Sequence, residues 1–115
     1  MYVFKLNDNE SILKKGVGFA QIGAKAGLGA LYLTTERLVF IGYERTSITT
    51  TVEEEVPLEH IEELKAMKTF VLLANAVEIS TIRGRRFRIN IDDRDRWIEA
   101  IKEQMDKIKN NEFFG

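Results

Sequence analysis

The sequence predicts a mainly β fold of the α+β kind, a small barrel or sandwich of about seven antiparallel strands capped by one C-terminal α-helix. Three observations predict it. Short runs of β-branched, aromatic and aliphatic residues recur along the chain, with turn signals about every eight to twelve residues. On either side of Arg83-Gly84-Arg85 apolar and polar residues alternate, as on strands with one buried face. Near the C-terminal end Trp97, Ile98, Ile101, Met105 and Ile108 recur at three- and four-residue intervals, the stripe of an amphipathic helix.

At 115 residues the chain is the size of a single domain, 1–115, with no room for two separate cores. Hydrophobic residues at 44% and charged residues at 30% make a globular composition, with enough apolar surface to offset chain entropy. Lys plus Arg number 17 against 18 Asp plus Glu, so no overall positive field draws in nucleic acid and any anion binding has to be local. The absence of cysteine removes disulfides, thiolate metal sites and cysteine nucleophiles, and fits a reducing compartment. Met1-Tyr2-Val3-Phe4-Lys5 lacks the basic start and long apolar run of a secretory leader. No apolar run approaches the roughly 20 residues of a bilayer span, so a cytoplasmic location is expected.

Strands are expected over about 11–91. Asn7-Asp8-Asn9 is a turn cluster, and from Ser11 the run Ile12 to Ile22 reads as a first strand whose Gly16 and Gly18 mark a bulge or sharp bend. Gly23 to Leu28, small and carrying one charge, reads as a flexible loop. Ala30 to Thr34 and Leu38 to Tyr43, separated by a short polar break, form the central hairpin. A polar, Thr-rich connection from Glu44 to Thr51 can lengthen the strands beside it. Glu53 to Leu58 is expected as an edge strand, because Pro57 cannot donate a ladder hydrogen bond and inserted charge discourages edge pairing. Leu58 to Leu64 fits a helical turn or a strand corner. Phe70 to Asn75, continuously apolar, cannot be assigned from its pattern.

In the later hairpin Val77, Ile79 and Thr81 share a face with Phe87, Ile89 and Ile91. Taking residues 83–85 as the loop pairs Ile79 with Ile89 and Thr81 with Phe87. The helix is expected over about 93–109, with Asp92 and Asp93 as N-cap candidates, Asp95 favourable to the dipole, and Glu103 with Lys107 as an i, i+4 pair. Asn110-Asn111 then ends it and leaves a tail, 110–115, in which Phe113 and Phe114 either fold back or meet a partner. The apolar stripe of the helix is the natural plug for the open end of a small barrel, and Trp97 is its largest contributor.

Candidate chemistry is sparse. His60 is the one histidine, and no catalytic triad, metal-ligand set or activated nucleophile assembles around it, so no catalytic residue, metal or cofactor is expected. Glu53-Glu54-Glu55 reads as solvated edge protection rather than paired catalytic carboxylates. The Gly16-Val17-Gly18 and Gly27-Leu28-Gly29 pairs open no helix and so are not phosphate loops. What remains is basic: Arg83, Arg85, Arg86 and Arg88 at the tip and outward face of a hairpin, Arg45 after Tyr43, and Lys14, Lys15 and Lys25 flanking the first strand and the loop behind it. Guanidinium forks suit phosphate oxygens. The alternative is that Arg88 reaches diagonally to Glu78 while the others solubilise a loop.

The stretch Gly29-Ala30-Leu31-Tyr32-Leu33-Thr34, followed after Thr35-Glu36 by Arg37-Leu38-Val39-Phe40, resembles the signature of GRAM domains. The likeness continues through Val56-Pro57-Leu58-Glu59-His60-Ile61, through Glu78 to Thr81 and Phe87 to Ile89, and into Asp93-Arg94-Asp95-Arg96-Trp97, covering about Glu10 to Lys109. The resemblance implies a pleckstrin-homology-like (PH-like) fold and a non-enzymatic, membrane-associated binding role. It also implies that Lys14, Lys15 and Lys25 lie in the region where lipid-binding members of the superfold hold an inositol phosphate. The dense basic alternation of a strong head-group site is missing there, so electrostatic attraction to an anionic leaflet is the expectation. The expected partner is thus an anionic membrane surface or a phosphoinositide, met peripherally at the membrane through the barrel loops. The second expectation is a protein partner or homo-oligomer adding a strand at a sheet edge, near Glu53 to Leu58 or near Leu31.

Overall fold

Seven strands follow one another in the computed structural model: β1 (Ile12–Ile22), β2 (Lys25–Thr34), β3 (Arg37–Glu44), β4 (Ser47–Pro57), β5 (Ile61–Met67), β6 (Ala76–Thr81) and β7 (Arg86–Ile91). A 3-10 turn, Leu58–His60, joins β4 to β5, and the helix α1 (Arg94–Phe114) closes the chain. The structure describes the backbone over residues 4–44, 47–67 and 75–114, and side chains over 4–44, 50–67 and 75–110. The strands make one antiparallel sheet in the order β4-β3-β2-β1-β7-β6-β5. β1 is the pivot: all of it pairs with β2, while its second half also pairs with β7, from Gly18 opposite Ile91 to Ile22 opposite Phe87. The sheet curls about this strand into a half-barrel.

The concave side holds the core. Leu31, Leu33, Leu38, Phe40, Val52, Ile79 and Ile89 from the strands meet Trp97 and Ile101 from the helix, all of them at most 4% exposed. The stripe read from the sequence therefore faces inward, with Met105 and Ile108 packed at its margin. Gly16 makes this possible, since a Cβ there would stand 2.9 Å from Trp97 Cζ2 and 3.0 Å from Ile91 Cδ1. At Gly18 a Cβ would meet the Asn90 carbonyl oxygen at 2.6 Å. These glycines serve close approach rather than a bulge, and the register shift of β1 lies instead between Ile12 and Lys14.

Several expected boundaries move. The loop expected from Gly23 to Leu28 is only the two-residue turn Gly23-Ala24, with Gly23 at φ +62°, and Lys25 already pairs with Ile22. Small residues weaken a strand by themselves, but ladder bonds on both sides of β2 override that local preference. The β6–β7 register is two residues off the expected one: Ile79 faces Phe87 and Val77 faces Ile89. The loop is Ile82–Gly84, closed by Thr81 N–H to the Arg85 carbonyl at 2.9 Å and Gly84 N–H to the Thr81 carbonyl at 3.0 Å. Gly84 has φ +80°, so the one residue that takes a left-handed conformation without cost sits last in a three-residue loop. An even slip keeps the apolar sets on one face, and hydrophobic pattern alone could not detect it.

Leu58 to Leu64 satisfies both its readings, a 3-10 turn and then β5 from Ile61. α1 begins after Asp93, whose carbonyl accepts from Trp97 N–H at 3.0 Å, and runs to Phe114 instead of stopping at Lys109. Asparagine costs a helix interior only a few tenths of a kcal/mol, too little to end one. Residues 70–74 of the apolar run, and the side chains of Phe113 and Phe114, lie outside the described residues.

A buried charged brace ties the N-terminal segment to this frame. The Arg37 guanidinium forks onto Glu10, with Nε to Oε2 at 2.8 Å and Nη2 to Oε1 at 2.9 Å. It also donates to the Lys5 carbonyl at 2.7 Å and pairs with Glu55 at 2.9 Å. Glu10 further accepts from the Thr34 hydroxyl at 2.6 Å and the Asn7 N–H at 2.8 Å. Thr34 Oγ1 in turn accepts the backbone N–H groups of Glu36 and Arg37 at 3.0 and 2.9 Å, which shapes the β2–β3 turn. The Thr-x-x-Arg spacing of the signature is thus the geometry of one hydrogen-bonded turn, and Gln104 Nε2 of α1 donates to Thr35 O of the same turn at 2.9 Å.

Hydrogen bonds from Arg37 outweigh the burial that opposes them, and with those of Thr34 and Asn7 they hold the Glu10 carboxyl down at about 2 from 4.5. Its stabilisation is therefore complete above pH 4.5 and is lost as pH falls toward 2. The expected loss across that window is about 3 kcal/mol, read by urea titrations at successive pH values. Glu10→Gln should flatten that acid limb, and Arg37→Ala, which strands a buried carboxylate, should cost about 3–5 kcal/mol at neutral pH. Trp97→Ala should cost about 3–5 kcal/mol by the same measurement, and an unchanged midpoint would mean the indole is not the plug.

Candidate functional site

Pairing register alone gathers two turns and the adjoining ends of β3 and β4 at one end of the sheet. Ile22 faces both Lys25 and Phe87, and Gly27 faces Glu44. The β1–β2 turn, the ends of β3 and β4 at Glu44 and Ser47, and the β6–β7 loop therefore share the end opposite the entry of β1. Lys25, Arg83, Arg85, Arg86 and Arg88 come together there, while Arg45 falls outside the described residues. Lys14 and Lys15 do not join them. Eight strand residues separate Lys14 from Ile22, about 26 Å at the usual strand rise. Each of the two covers an aromatic instead: Lys14 Nζ stands 5.2 Å from the Trp97 ring centroid, and Lys15 Nζ stands 5.6 Å from that of Tyr32.

The arginines differ in what already holds them. Arg85 is on the concave side, its guanidinium 4.8 Å from the Phe87 ring centroid and 2.6 Å from Glu54 of β4. It thereby straps the β6–β7 loop to the sheet edge over an apolar recess lined by Ile22, Phe40, Val56 and Phe87. Glu54 and Glu55 are thus not merely solvated edge protection: one pairs with Arg85 and the other with Arg37, and of the three only Glu53 has no ion-pair partner among the described residues. Arg86 and Arg88 are on the convex side, two residues apart on β7. Arg88 lies directly opposite Glu78, not diagonally, at 4.0 Å, and its buried Nε has no hydrogen-bond partner. Arg83 is exposed at the loop tip, and no described acid pairs with Arg83, Arg86 or Lys25.

Arg86, Arg88, Gln21, Gly23, Glu78 and Phe87 line a shallow hollow on this side. Two guanidinium groups and one unanswered N–H against a single carboxylate suit an anion with several oxygens, which could take forked hydrogen bonds. His60, at the corner between β4 and β5, gives its carbonyl to the Ile82 N–H at 2.9 Å, and no cluster of acids and histidines able to hold a metal occurs among the described residues. Gln21 and Gly23 were not singled out in the sequence. They reach the hollow because β1 pairs with β7, a contact between residues more than sixty positions apart that no local pattern signals.

The curled sheet, the Thr34–Arg37 turn and most of the terminal helix fall within a single family match. The GRAM-domain family model matches residues 1–110. The chain belongs to the GRAM-domain family. GRAM domains are lipid- or protein-binding modules. The C-terminal domain of an unknown protein from Leishmania infantum, a solved crystal structure, is similar at a TM-score of 0.67 and 20% identity, over 85% of this chain and 86% of that one. At that identity the likeness is one of fold. No curated protein matches this chain. Among the described residues no helix is long and apolar enough to cross a membrane.

The Arg85–Glu54 pair is surface-placed, with Arg85 55% exposed, and pairs of that kind are worth about 0–1 kcal/mol. Glu54→Gln should therefore shift stability in urea by less than about 1 kcal/mol, in contrast to the buried Glu10–Arg37 brace.

Proposed function

We propose that this GRAM domain is a non-catalytic module that binds anionic membrane lipid, phosphoinositide head groups among them, through the arginine-bearing end of its sheet, peripherally at a cytoplasmic membrane surface. The observation that carries the reading is the gathering of Arg83, Arg86, Arg88 and Lys25 at one end, with the buried Arg88 Nε lacking an acceptor. Arg86 and Arg88 would fork onto phosphate oxygens in the hollow, while Arg83 and Lys25 would add charge at its rim. Lys14 and Lys15 take no part in this reading. With a base near an anionic surface worth about 1 kcal/mol, a handful of such groups gives reversible, salt-sensitive attachment rather than a tight lock.

A second reading has one specific observation in its favour. β4 and β5 are the two edges of the sheet, and β4, which carries Glu53 and Pro57, could accept a strand from a partner. The other edge considered in the sequence, near Leu31, does not exist as one, because β2 is paired on both sides.

Sedimentation with phosphatidylserine-containing and purely phosphatidylcholine vesicles at low and high salt separates the readings. Binding to the anionic vesicles alone is expected, weakened by salt and reduced more than tenfold when Arg83, Arg85, Arg86 and Arg88 are changed to Ser. Binding that ignores these changes would overturn the site. No binding, with a dimer in light scattering, would favour the strand-addition reading.

A further inference from the structure

The convex face of β1, β2 and β3 is apolar across its width, and only part of it is covered. Strand alternation puts Ala30, Tyr32, Val39 and Ile41 on that face, where they are at most 8% exposed and form a small second cluster with Phe4 of the N-terminal segment. Phe4 meets Tyr32 edge to face, with ring centroids 4.9 Å apart. Beyond this cluster, toward the arginine-bearing end, the same face continues apolar and more exposed. Val17, paired with Ala30, is 72% exposed, and Leu28, paired with Phe19 and Tyr43, is 54% exposed. Tyr43 is 36% exposed and Phe19 is half-buried. Polar residues usually occupy such positions on a solvated sheet face, so a contiguous apolar strip calls for an occupant.

We infer that this strip is a second membrane contact: the domain lies with Val17, Phe19, Leu28 and Tyr43 against the acyl boundary of an anionic bilayer while its arginines meet the head groups. The inference rests on the membrane reading above and adds to it an orientation and an apolar contact. Two observations select the bilayer over another protein. The first is charge. On β7 the convex residue opposite Phe19 is Asn90; Arg88 follows on the same face opposite Gln21, with Arg86 beyond it, so the bases lie at the end of the apolar strip as an anionic surface requires. The second is area and shape. A few side chains on the outside of a curled sheet offer about 300–600 Å² at most. That falls short of the roughly 800 Å² that each partner of a stable protein interface buries. Two convex faces would also touch over little of it, whereas lipid moulds to the surface. Glu53, exposed on the convex side of β4, marks the flank that tilts away.

The lack of cysteine allows a direct test. Val17→Cys, Leu28→Cys, Ile82→Cys and Glu99→Cys, each labelled with an environment-sensitive dye, are mixed with vesicles of phosphatidylserine and phosphatidylcholine. Dyes at positions 17 and 28 should shift to the blue and brighten several-fold, while the dye at position 99, on the exposed side of the helix, should not respond. Val17→Asp combined with Leu28→Asp should weaken vesicle binding at least tenfold, with an unchanged thermal midpoint because both side chains are exposed. Continued sedimentation with aqueous emission at 17 and 28, and a response at 82 alone, would overturn the strip while leaving the head-group reading intact. Absence of sedimentation would remove that reading and this one together. A dye response without vesicles that grows with protein concentration, alongside a doubled mass, would assign the strip to a second copy of the chain and overturn the inference.

Discussion

The contact between the Trp97 indole and the bare backbone at Gly16 is the constraint on which the architecture depends. A half-barrel of seven strands leaves one end of its apolar interior open, and the indole that fills it is 2% exposed. Burying an aromatic of that size removes roughly 150–250 Å² from water. At about 25 cal/mol per Å² that amounts to about 4–6 kcal/mol, a large part of the 5–15 kcal/mol by which a whole domain is usually stable. The indole fits only because β1 carries no side chain where it lands, so a residue on the first strand and one on the last element are chosen for each other across eighty positions. With the helix committed to one end, the other is closed by turns alone. Turn residues are free to carry charge, and Arg83 and Arg85 lie there, with Arg86 and Arg88 on the strand that follows.

Two uses of one chemistry divide the molecule. At Glu10 and Arg37 every fork is answered within the chain, the groups are buried, and the carboxyl is held far below its ordinary range. A charged pair in that condition has no capacity left for a ligand, and it reads as structure. At the arginine-bearing end the account is open: Arg85 is strapped to Glu54, Arg88 is only loosely opposed by Glu78, and Arg86 and Arg83 have no described acid beside them. Residual hydrogen-bonding capacity separates the two clusters. Arginine count does not.

Much of the fold was legible because its signals are local. The alternation around the β6–β7 loop, the 3.6-residue stripe of α1 and the hairpin on either side of Thr35-Glu36 each follow from the backbone period of the element that bears them. The departures share one cause, contacts distant in sequence. Gly23 to Leu28 looks like a loop until ladder bonds from β1 and β3 make most of it strand, and Gly16 looks like a bulge until the indole arrives. The β6–β7 slip is of another kind. Pattern fixes which face is buried but not the register, and the register was settled by the need for a left-handed residue at the end of the loop, which only Gly84 supplies without strain. Of the candidate site, the arginines were legible as a cluster. The separation of Lys14 and Lys15 from Lys25 follows from the length of β1, and the part played by Gln21 follows from its pairing with β7.

The distribution of apolar surface carries the synthesis one step further. A domain this small can bury only one face of its sheet against its own helix, so the convex face must be polar, covered by other chain, or left exposed for a partner. This chain uses all three. Glu78, Ser80, Arg86, Arg88 and Asn90 take most of the convex side of β6 and β7, the segment bearing Phe4 covers the clustered half of β2 and β3, and the strip around Val17 and Leu28 stays exposed. The exposed part adjoins the arginines, and the covered part is pinned by the Glu10–Arg37 brace at the other end. An apolar strip beside loosely held bases can gain from burial and from charge in a single encounter, with lipid tails meeting the first and phosphates the second. The same strip at the braced end would meet only charges already spent on each other, and would gain from burial alone.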